Sequence, residues 1–437
     1  MNRTQHNAMW IRGGTVIDPR RSRVEVADVA IVDGLIAETA PDDAQAIDAS
    51  NFIVCPGLMD IHVHLREPGQ SHKETIATGT AAAAAGGFTF VACMPNTQPV
   101  LDTPRQIRWV IEQATQAGHC AVGPIAAITQ GRAGRELTDF AALREAGAVA
   151  FSDDGTGVED DALMRSAFER ARDVDAVLIQ HCEYEAISAA GVMHQGEVSE
   201  RLGLPGLDPR SEEAMIERDI NLCQETGGRY HVAHISTAVG VELVRRAKSE
   251  GVRVTAEVCP HHLILTDDAC AQADPNTKMH PPLRSALDVH ACREGLLDGT
   301  IDCIVTDHAP HTENEKAVGF LKAPPGIVGL ETAVGLAAHA MVETGIAGWP
   351  HMIVWLSSGP ATVLGQTPGG IEVGSQANLT LIDPTLRWTV DPTQFLTKSQ
   401  NTPFSGWELT GRSVGTIRGR NLTLCTLKNA PYPDDKT

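Results

Sequence analysis

The sequence predicts a (β/α)8 barrel joined to a smaller β-domain that both ends of the chain build. Two observations carry this prediction. Eight short apolar runs recur between residues 56 and 365, and each is followed by a stretch with helical periodicity. The flanks instead alternate short strands with turn signals. Strands that alternate with helices indicate a parallel sheet, and eight of them indicate a closed barrel with its chemistry at the carboxyl ends of the strands.

The eight predicted barrel strands follow one another at intervals that leave room for helices. In order, they are residues 58–64, 88–93, 121–129, 148–152, 176–181, 230–235, 252–258 and 302–307. Between the first two, the run Ala81 to Ala85 indicates a helix that ends at Gly86-Gly87. An open, doubly wound sheet is the alternative. It fits less well because no strand-to-helix turn carries G-x-G-x-x-G and no Gly-Lys dipeptide is present for a phosphate loop.

The two flanks are predicted to form short strands. These are residues 10–17, 29–32 and 35–38 near one end, and residues 379–382, 411–417 and 422–427 near the other. An Asp33-Gly34 turn joins two of the first group. We expect both groups to pair into one discontinuous β-sandwich domain, although two independent extensions are the alternative. The predicted domains are therefore residues 1–55 and 366–437 for the β-domain and 56–365 for the barrel.

The composition narrows the classes of partner. With 55 acidic and 35 basic residues, the formal net charge of -20 argues against nucleic acid or an anionic membrane as a partner. The ten cysteines are scattered singly without a C-x-x-C pair, which is typical of a reducing compartment. No apolar segment resembles a signal peptide or a membrane span. We therefore expect a cytoplasmic protein.

The run Asp60-Ile61-His62-Val63-His64-Leu65-Arg66 is the most informative in the chain. Alternate residues of a strand share a face, so His62 and His64 would lie about 7 Å apart and could converge on one metal ion. Arg66 follows in the same alternation, and its planar guanidinium could hold a carboxylate through two hydrogen bonds. Two half-exposed histidines and a surface arginine are the alternative for so short a motif.

Further polar side chains end the other predicted strands, which makes the alternative less convincing. They are Asn96, the pair Asp153-Asp154, His181, His234, Asp307 and His311. Singly, His181 or His234 could be a core histidine, and Asp154 could open a turn before Gly155. Together, four histidines and two carboxylates at one barrel mouth predict a binuclear site for divalent metal, with zinc the best candidate. His261 and His262 stay undecided, and the remaining histidines receive no role.

A two-metal site of this kind favours hydrolysis, or its reversal, at an amide-like carbonyl. Two metal ions polarise the carbonyl and activate water at neutral pH. A nearby carboxylate must take up and return a proton, and Asp307 is the candidate because it ends a strand opposite the first-strand histidines. The chemistry alone does not specify the substrate.

At this point the chain resembles the dihydroorotases of the amidohydrolase superfamily, of the long bacterial type, over essentially its whole length. The matching motifs, in order, are DIHVHLREPG (60–69), HKETIATGT (72–80), MPNTQPV (94–100), FSDDG (151–155), HCE (181–183), HVAHIST (231–237), PHH (260–262), PPLR (281–284), EGLLDGTID (294–302), TDHAPH (306–311) and NTPFSGW (401–407). The resemblance implies reversible cyclisation of N-carbamoyl-L-aspartate to L-dihydroorotate, the third step of pyrimidine synthesis, on a zinc-bearing barrel.

The resemblance also implies a role for each matching residue. The implied metal ligands are His62 and His64 for the first zinc, His181 and His234 for the second, and Asp154 shared between them. Asp307 matches the catalytic acid/base and a metal ligand. The implied substrate contacts are His64, Arg66, Asn96, His280 and His311, with the backbone of Pro325 and Gly326. Arg66 is informative because relatives that act on uncharged rings, such as dihydropyrimidinases, lack this partner for a carboxylate.

Two departures from the family pattern leave questions open. The fourth strand has no lysine to bridge the metals, so Asp154 must do so, and occupancy by one or two zinc ions stays open. His280 stands where the family usually has Asn. The alternatives are another cyclic amidohydrolase, such as an allantoinase or dihydropyrimidinase, and a non-catalytic subunit of aspartate transcarbamoylase. We expect a homodimer that binds a small molecule, and association with aspartate transcarbamoylase is open.

Overall fold

The computed structural model describes residues 1–425 and contains a barrel sheet and a second sheet from the two flanks. The strands are β1 (Asn2–Gln5), β2 (Ala8–Asp18), β3 (Arg23–Val32), β4 (Leu35–Ala37), β5 (Gln45–Asp48), β6 (Ile53–Pro56), β7 (Leu58–Val63), β8 (Phe88–Cys93), β9 (Ala121–Ala126), β10 (Ala150–Ser152), β11 (Leu178–Gln180), β12 (Met193–His194), β13 (Gly206–Leu207), β14 (Tyr230–Val232), β15 (Val254–Val258), β16 (Cys303–Ile304), β17 (Asn378–Thr389), β18 (Glu408–Arg418) and β19 (Asn421–Leu424).

The α-helices fill most of the intervals between the barrel strands and cover its outside. They are α1 (Ile76–Gly86), α2 (Pro104–Ala117), α3 (Phe140–Glu145), α4 (Asp161–Asp173), α5 (Glu185–Ser188), α6 (Glu197–Leu202), α7 (Arg210–Thr226), α8 (Ala238–Ser249), α9 (Pro260–Ile264), α10 (Ala286–Leu297), α11 (Glu313–Lys316), α12 (Ala333–Met341), α13 (Trp349–Ile353) and α14 (Gly359–Val363). Short 3-10 helices cover Pro19–Arg21, Gln130–Arg132, Asp267–Gln272, Pro275–Thr277 and Pro392–Gln394, and a π-helical turn covers Val354–Ser358.

The barrel sheet has the eight strands that the sequence predicts, in the order β7-β8-β9-β10-β11-β14-β15-β16. All neighbouring pairs are parallel. A bridge between Val63 and His308 joins the first strand to the segment after the eighth. Asp60 reinforces this closure because its Oδ2 accepts hydrogen bonds from the backbone N–H and the hydroxyl of Thr306. The predicted barrel is therefore confirmed.

Local sequence signals place the first helix after β7. Thr75 caps α1 by accepting a hydrogen bond from the N–H of Thr78, and the Thr78 hydroxyl accepts one from the N–H of Thr75. The helix ends at Gly87, whose φ of 99° is a backbone conformation that glycine adopts without a steric penalty. The chain then enters β8, as the sequence predicts.

The flanking strands form one nine-stranded sheet, with the order β1-β19-β18-β17-β6-β2-β3-β4 and β5 beside β2. The antiparallel pairs β6 with β17 and β1 with β19 join the two ends of the chain, which confirms the predicted discontinuous β-domain. Residues 426 and 427 of the last predicted strand lie outside the described residues. The domain boundaries 1–55, 56–365 and 366–437 stay predictions.

Several barrel strands are shorter than predicted. β16 covers only two of the six residues expected over 302–307, and β10 and β11 cover three each. The chain leaves β-geometry at the mouth, where His234 and Asp307 have positive φ values of 32° and 46°. Within residues 1–425, no helix combines the length and apolar character needed to cross a bilayer.

Candidate active site

The six predicted metal ligands all meet at the mouth of the barrel, although they come from five different strand ends. His62 lies in β7 and His64 just beyond it, while Asp154, His181, His234 and Asp307 follow β10, β11, β14 and β16. Five of them are buried, and Asp307 keeps a side-chain exposure of 12%. The C-terminal rim of a barrel is where this fold places its chemistry.

The first group of ligand atoms surrounds the Asp307 carboxylate. The Nε2 atom of His64 lies 3.0 Å from Asp307 Oδ1, and the Nε2 atom of His62 lies 3.6 Å from the same oxygen. The three residues could hold a metal ion, since their ligand atoms lie within 4.8 Å of one another. This donor set of imidazole nitrogen and carboxylate oxygen suits zinc.

Asp154 lies between this group and the other two histidines. Its Oδ1 is 3.2 Å from His62 Nε2 and 3.8 Å from both His181 Nδ1 and His234 Nε2. Its Oδ2 is 3.6 Å from His64 Nε2. One carboxylate therefore faces all four histidines, which is the position a carboxylate shared by two metal ions requires.

The surroundings of one buried nitrogen also support metal binding. His62 Nε2 is fully buried and lies 3.2 Å from Asp154 Oδ1, but within residues 1–425 it makes no hydrogen bond of acceptable geometry. A buried polar atom without a partner is costly and needs an explanation. The other ring nitrogen, Nδ1, donates to the buried carboxylate of Glu257 at 2.5 Å. This bond orients the ring so that Nε2 faces Asp154 and Asp307, where a bound cation would replace the proton on Nε2, so the residues present fit a cation.

The ionisation of the site follows from the close pairing of its carboxylates with imidazoles. Burial lowers the pKa of His62, but the nearby Glu257 and Asp154 carboxylates outweigh it and hold the pKa well above its usual range. Burial raises the pKa of Asp154, whereas His62 and His234 bring it well below its usual range. The pKa of Asp307 is lowered in the same way by His62 and His64 against burial. Both aspartates are therefore carboxylates, and the cluster attracts positive charge.

A pocket of about 280 Å³ opens onto the cluster. Its lining includes His64, Asp154, His181, His234 and Asp307, and every predicted substrate contact, namely Arg66, Asn96, His280, His311, Pro325 and Gly326. A larger groove of about 920 Å³ lies elsewhere, between the β8 and β9 strands and the flanking sheet. It contains none of the predicted site residues, so the smaller pocket is the candidate active site.

Arg66 reaches the pocket, but not by the route that the sequence pattern suggested. β7 ends at Val63, and Arg66 has a positive φ of 59°, so the expected strand alternation does not extend to it. A turn presents the side chain instead. Its Nε donates to the carbonyl of Pro310 at 3.2 Å, and its Nη2 lies 3.3 Å from His311 Nε2. Burial lowers its pKa to about 10, which leaves the guanidinium charged at neutral pH.

Asn96 contacts two of the predicted ligands. Its Oδ1 lies 2.8 Å from His64 Nδ1, and its Nδ2 donates to Asp154 Oδ2 at 3.2 Å. The Nδ1 proton of His64 therefore goes to Asn96, which leaves Nε2 as the nitrogen that faces Asp307. Asn96 was predicted only as a substrate contact, and the structure adds an orienting role for it.

Sequence reasoning missed two other residues of the site. Glu257 holds His62, and the only sequence signal was an acidic residue near the end of a predicted strand. Asn401 accepts from the N–H of His311 and donates to the carbonyls of Ala309 and Gly326, so it fixes the loop beside the pocket. It belongs to the NTPFSGW motif, which carried no residue assignment.

The two undecided histidines are buried beside the site and do not line the pocket. His262 Nε2 lies 3.1 Å from the carbonyl oxygen of Pro281. His261 and His262 form a third group with Cys259 that could hold a metal ion by distance. Burial raises the pKa of the Cys259 thiol well above its usual range, which disfavours the thiolate that zinc requires.

The chain combines a (β/α)8 barrel with four histidines and two aspartates at its mouth, and its similarity to known proteins identifies it as a cyclic amidohydrolase. A family model described as Dihydro-orotase-like matches residues 51–239. A dihydroorotase from Pelotomaculum thermopropionicum is 52% identical over 420 residues, covering 95% of this chain and 98% of its own length. One from Anoxybacillus flavithermus is 47% identical over 395 residues, covering 89% and 92%. The chain belongs to the dihydroorotase family.

Solved structures agree with the fold. The L-hydantoinase (dihydropyrimidinase) from Arthrobacter aurescens superimposes with a TM-score of 0.83 at 26% identity and covers 94% of each chain. The dihydropyrimidinase from Brevibacillus agri NCHU1002 gives a TM-score of 0.81 at 23% identity over 95% of each chain. The barrel with its flanking β-domain is therefore a shared architecture of these proteins.

Proposed function

We propose that the protein is a zinc-dependent dihydroorotase that interconverts N-carbamoyl-L-aspartate and L-dihydroorotate in pyrimidine synthesis. The observation that carries this proposal is the position of Arg66. A buried guanidinium lines the same pocket as the cluster of histidines and aspartates. The ring of dihydroorotate bears a carboxylate, whereas dihydrouracil and hydantoin have none. A buried cation next to the reacting site is costly unless an anion pairs with it.

The proposed roles divide the pocket into a reacting side and an anchoring side. His62, His64, Asp154, His181, His234 and Asp307 would hold about two zinc ions. When bound, zinc supplies Lewis acidity at the reacting carbonyl. Arg66, Asn96 and His311 anchor the α-carboxylate, and the backbone of Pro325 and Gly326 contacts the ring. Anchoring one end of the substrate fixes where the other end meets the cluster, which lowers the entropic part of the barrier.

Asp307 is the proposed acid/base. Its carboxylate points into the pocket and keeps some exposure, so it can reach a proton of water or of the ring nitrogen. In hydrolysis it takes a proton from water and delivers it to the leaving nitrogen. In cyclisation it moves a proton in the reverse direction, as microscopic reversibility requires. His64 lies against its Oδ1 and limits its rotation.

The proposal is tested by a two-way assay. Purified protein is incubated with N-carbamoyl-L-aspartate at mildly acidic pH and with dihydroorotate at alkaline pH, before and after chelation and after zinc is restored. We expect turnover in both directions, loss on chelation and recovery with zinc. Absence of turnover in either direction with zinc present would contradict the proposal and favour the non-catalytic subunit.

The similarity to hydantoinase structures supports a second candidate, another cyclic amidohydrolase. Dihydrouracil, hydantoin and allantoin in the same assay separate the two. Turnover of any of these faster than dihydroorotate would favour the second candidate. Arg66 supports the first, because an uncharged ring would leave the guanidinium without its partner.

We further propose that the protein is a cytoplasmic homodimer. Whether it associates with aspartate transcarbamoylase is a separate question. All ten cysteines are free of disulfides and nine are buried, which supports a reducing compartment. Light scattering on the purified protein, alone and mixed with aspartate transcarbamoylase, measures both assemblies.

A further inference from the structure

The carboxylate of Glu183 lies between two imidazoles at the edge of the pocket. Its Oε2 is 3.3 Å from His181 Nε2 and also contacts His280 Nε2. The two imidazole rings are stacked, with centroids 4.9 Å apart and planes 3° from parallel. Glu183 follows β11, whereas His280 comes 97 residues later in the chain, in the segment after α9. One carboxylate therefore joins a predicted metal ligand to a predicted substrate contact.

The contact between Glu183 and His280 is partly buried. Glu183 retains 15% of its side-chain exposure and His280 30%, and His280 lines the pocket together with His181. Because both side chains are partly buried, water screens the contact between them only incompletely. The contact is thus able to fix the orientation of both rings.

The chemistry of the carboxylate sets where the ring protons are. A carboxylate only accepts hydrogen bonds, so a neutral imidazole beside it must carry its proton on Nε2. For His181 this leaves the lone pair on Nδ1, the atom that lies 3.8 Å from Asp154 Oδ1 and 2.9 Å from His234 Nε2. For His280 it leaves the lone pair on Nδ1, which has no hydrogen-bond partner within residues 1–425.

We propose that Glu183 is a positioning residue that sets the tautomer of both His181 and His280. His181 then offers Nδ1 to the second metal ion, and His280 offers Nδ1 as an acceptor for an N–H of the substrate. The second part rests on the proposed function, since both N-carbamoyl-L-aspartate and dihydroorotate carry N–H groups. Substrate binding by His280 would therefore depend on Glu183, whereas binding by Asn, the usual residue at this position, would not. An amide has separate donor and acceptor atoms and no tautomer to set.

The test is a double-mutant cycle with two measurements. These are KM for dihydroorotate and the zinc affinity of the second metal site, the one that His181 is proposed to bind. In the native background, we expect E183A to raise KM about tenfold and to weaken zinc binding about 10- to 100-fold. In the H280N background, E183A should raise KM less than about threefold relative to H280N alone, while the loss of zinc affinity persists. E183Q keeps one oxygen acceptor and should show a smaller effect on both measurements.

The control is E185A, which removes a nearby exposed carboxylate with the same change of charge. It should leave both measurements unchanged. If E183A lowers the thermal midpoint strongly, E183Q provides the comparison. Zinc affinity that is unchanged in both Glu183 variants would overturn the proposal, as would a rise in KM that is equal in the two backgrounds. If the native protein shows no turnover, the proposed function fails, and the zinc measurement still decides whether Glu183 positions His181.

Discussion

The buried carboxylate of Glu257 accepts the Nδ1–H of His62 and lies 3.0 Å from Nε2 of a second buried histidine, His231. Burial raises the pKa of Glu257, but His62 and His231 outweigh it and lower the pKa to about 2. Glu257 is therefore ionised at neutral pH and acts as a fixed negative charge behind His62, a proposed metal ligand. Such partners orient a ligand and increase its basicity.

We expect E257Q to weaken zinc binding to the first site by about 10- to 100-fold, because the amide cannot match this charge. Zinc affinity measured by competition with a chelator checks this prediction. The matched control is E331Q, the same substitution at another buried glutamate, whose hydrogen bonds within residues 1–425 come from the N–H groups of Leu396 and Thr397 and from none of the predicted ligands. Equal zinc affinity of E257Q and the native protein would contradict the role of Glu257.

Asp307 is expected to be essential for turnover in both directions. D307N removes the proton acceptor, and the loss of a general acid/base typically costs about 10²- to 10⁴-fold in rate. We expect kcat to fall by at least this factor while zinc content stays largely intact, because the other ligands remain. D302N is the control, since Asp302 precedes β16, whereas Asp307 follows it, and pairs with Lys248. Retained turnover in D307N would remove Asp307 as the acid/base.

Arg66 is expected to determine selectivity for a carboxylate-bearing ring. R66M deletes the buried cation, and the loss of a charged hydrogen-bonding partner should raise KM for dihydroorotate about 100-fold. The ratio of activities on dihydroorotate and dihydrouracil should fall as well. R135M removes an exposed arginine and serves as the control. An unchanged KM in R66M would show that the carboxylate binds elsewhere.

The sequence predicted the framework well because its signals are local. Each barrel strand is a short apolar run, and the residue types at the strand ends are visible without knowing how the chain folds. His62, His64, His181 and His234 meet because the barrel brings successive strand ends to one rim. Once eight barrel strands had been recognised, their topology was enough to predict that these four histidines lie together.

The contacts between distant segments could not be predicted in this way. Glu257 reaches His62 across 195 residues, and Asn401 reaches His311 across 90. Neither pairing leaves a pattern in the sequence. Arg66 shows a second limit, because its side chain enters the pocket from a turn with positive φ that strand alternation does not describe. At the rim the backbone leaves regular strand geometry, and this change decides where the side chains point. It depends on tertiary packing, which the local sequence does not specify.

The absence of a lysine near Asp154 leads to a prediction about metal content. One short carboxylate faces all four histidines, so we expect the native protein to bind about two zinc ions with unequal affinity. H234N removes a proposed ligand of the second site only, and should retain about one tightly held ion. Zinc content after dialysis against increasing chelator checks the two steps. If the native protein loses both zinc ions at the same chelator concentration, the two sites have equal affinity and the prediction is wrong.

The last prediction concerns Lys316, a buried lysine beneath the loop that carries Pro325 and Gly326. Its Nζ donates to the carbonyls of Pro275 and Pro324 at 3.0 and 2.9 Å. Burial, with a smaller contribution from Lys278, lowers its pKa to about 7. The pKa of a lysine in an unfolded chain is about 10.4. Between these values the unfolded chain binds more protons than the folded protein, so the free energy of unfolding rises with pH.

We therefore expect the free energy of unfolding of the native protein to increase relative to that of K316M as pH rises from about 7 to about 10. The increase is at most about 1.4 kcal/mol per pH unit, because one group is responsible. Urea unfolding at several pH values measures the difference between the two proteins, and groups common to both cancel. K322M is the control, since Lys322 is exposed on the same loop. If K316M and the native protein keep a constant difference across this range, Lys316 is protonated in the folded protein and the prediction is wrong.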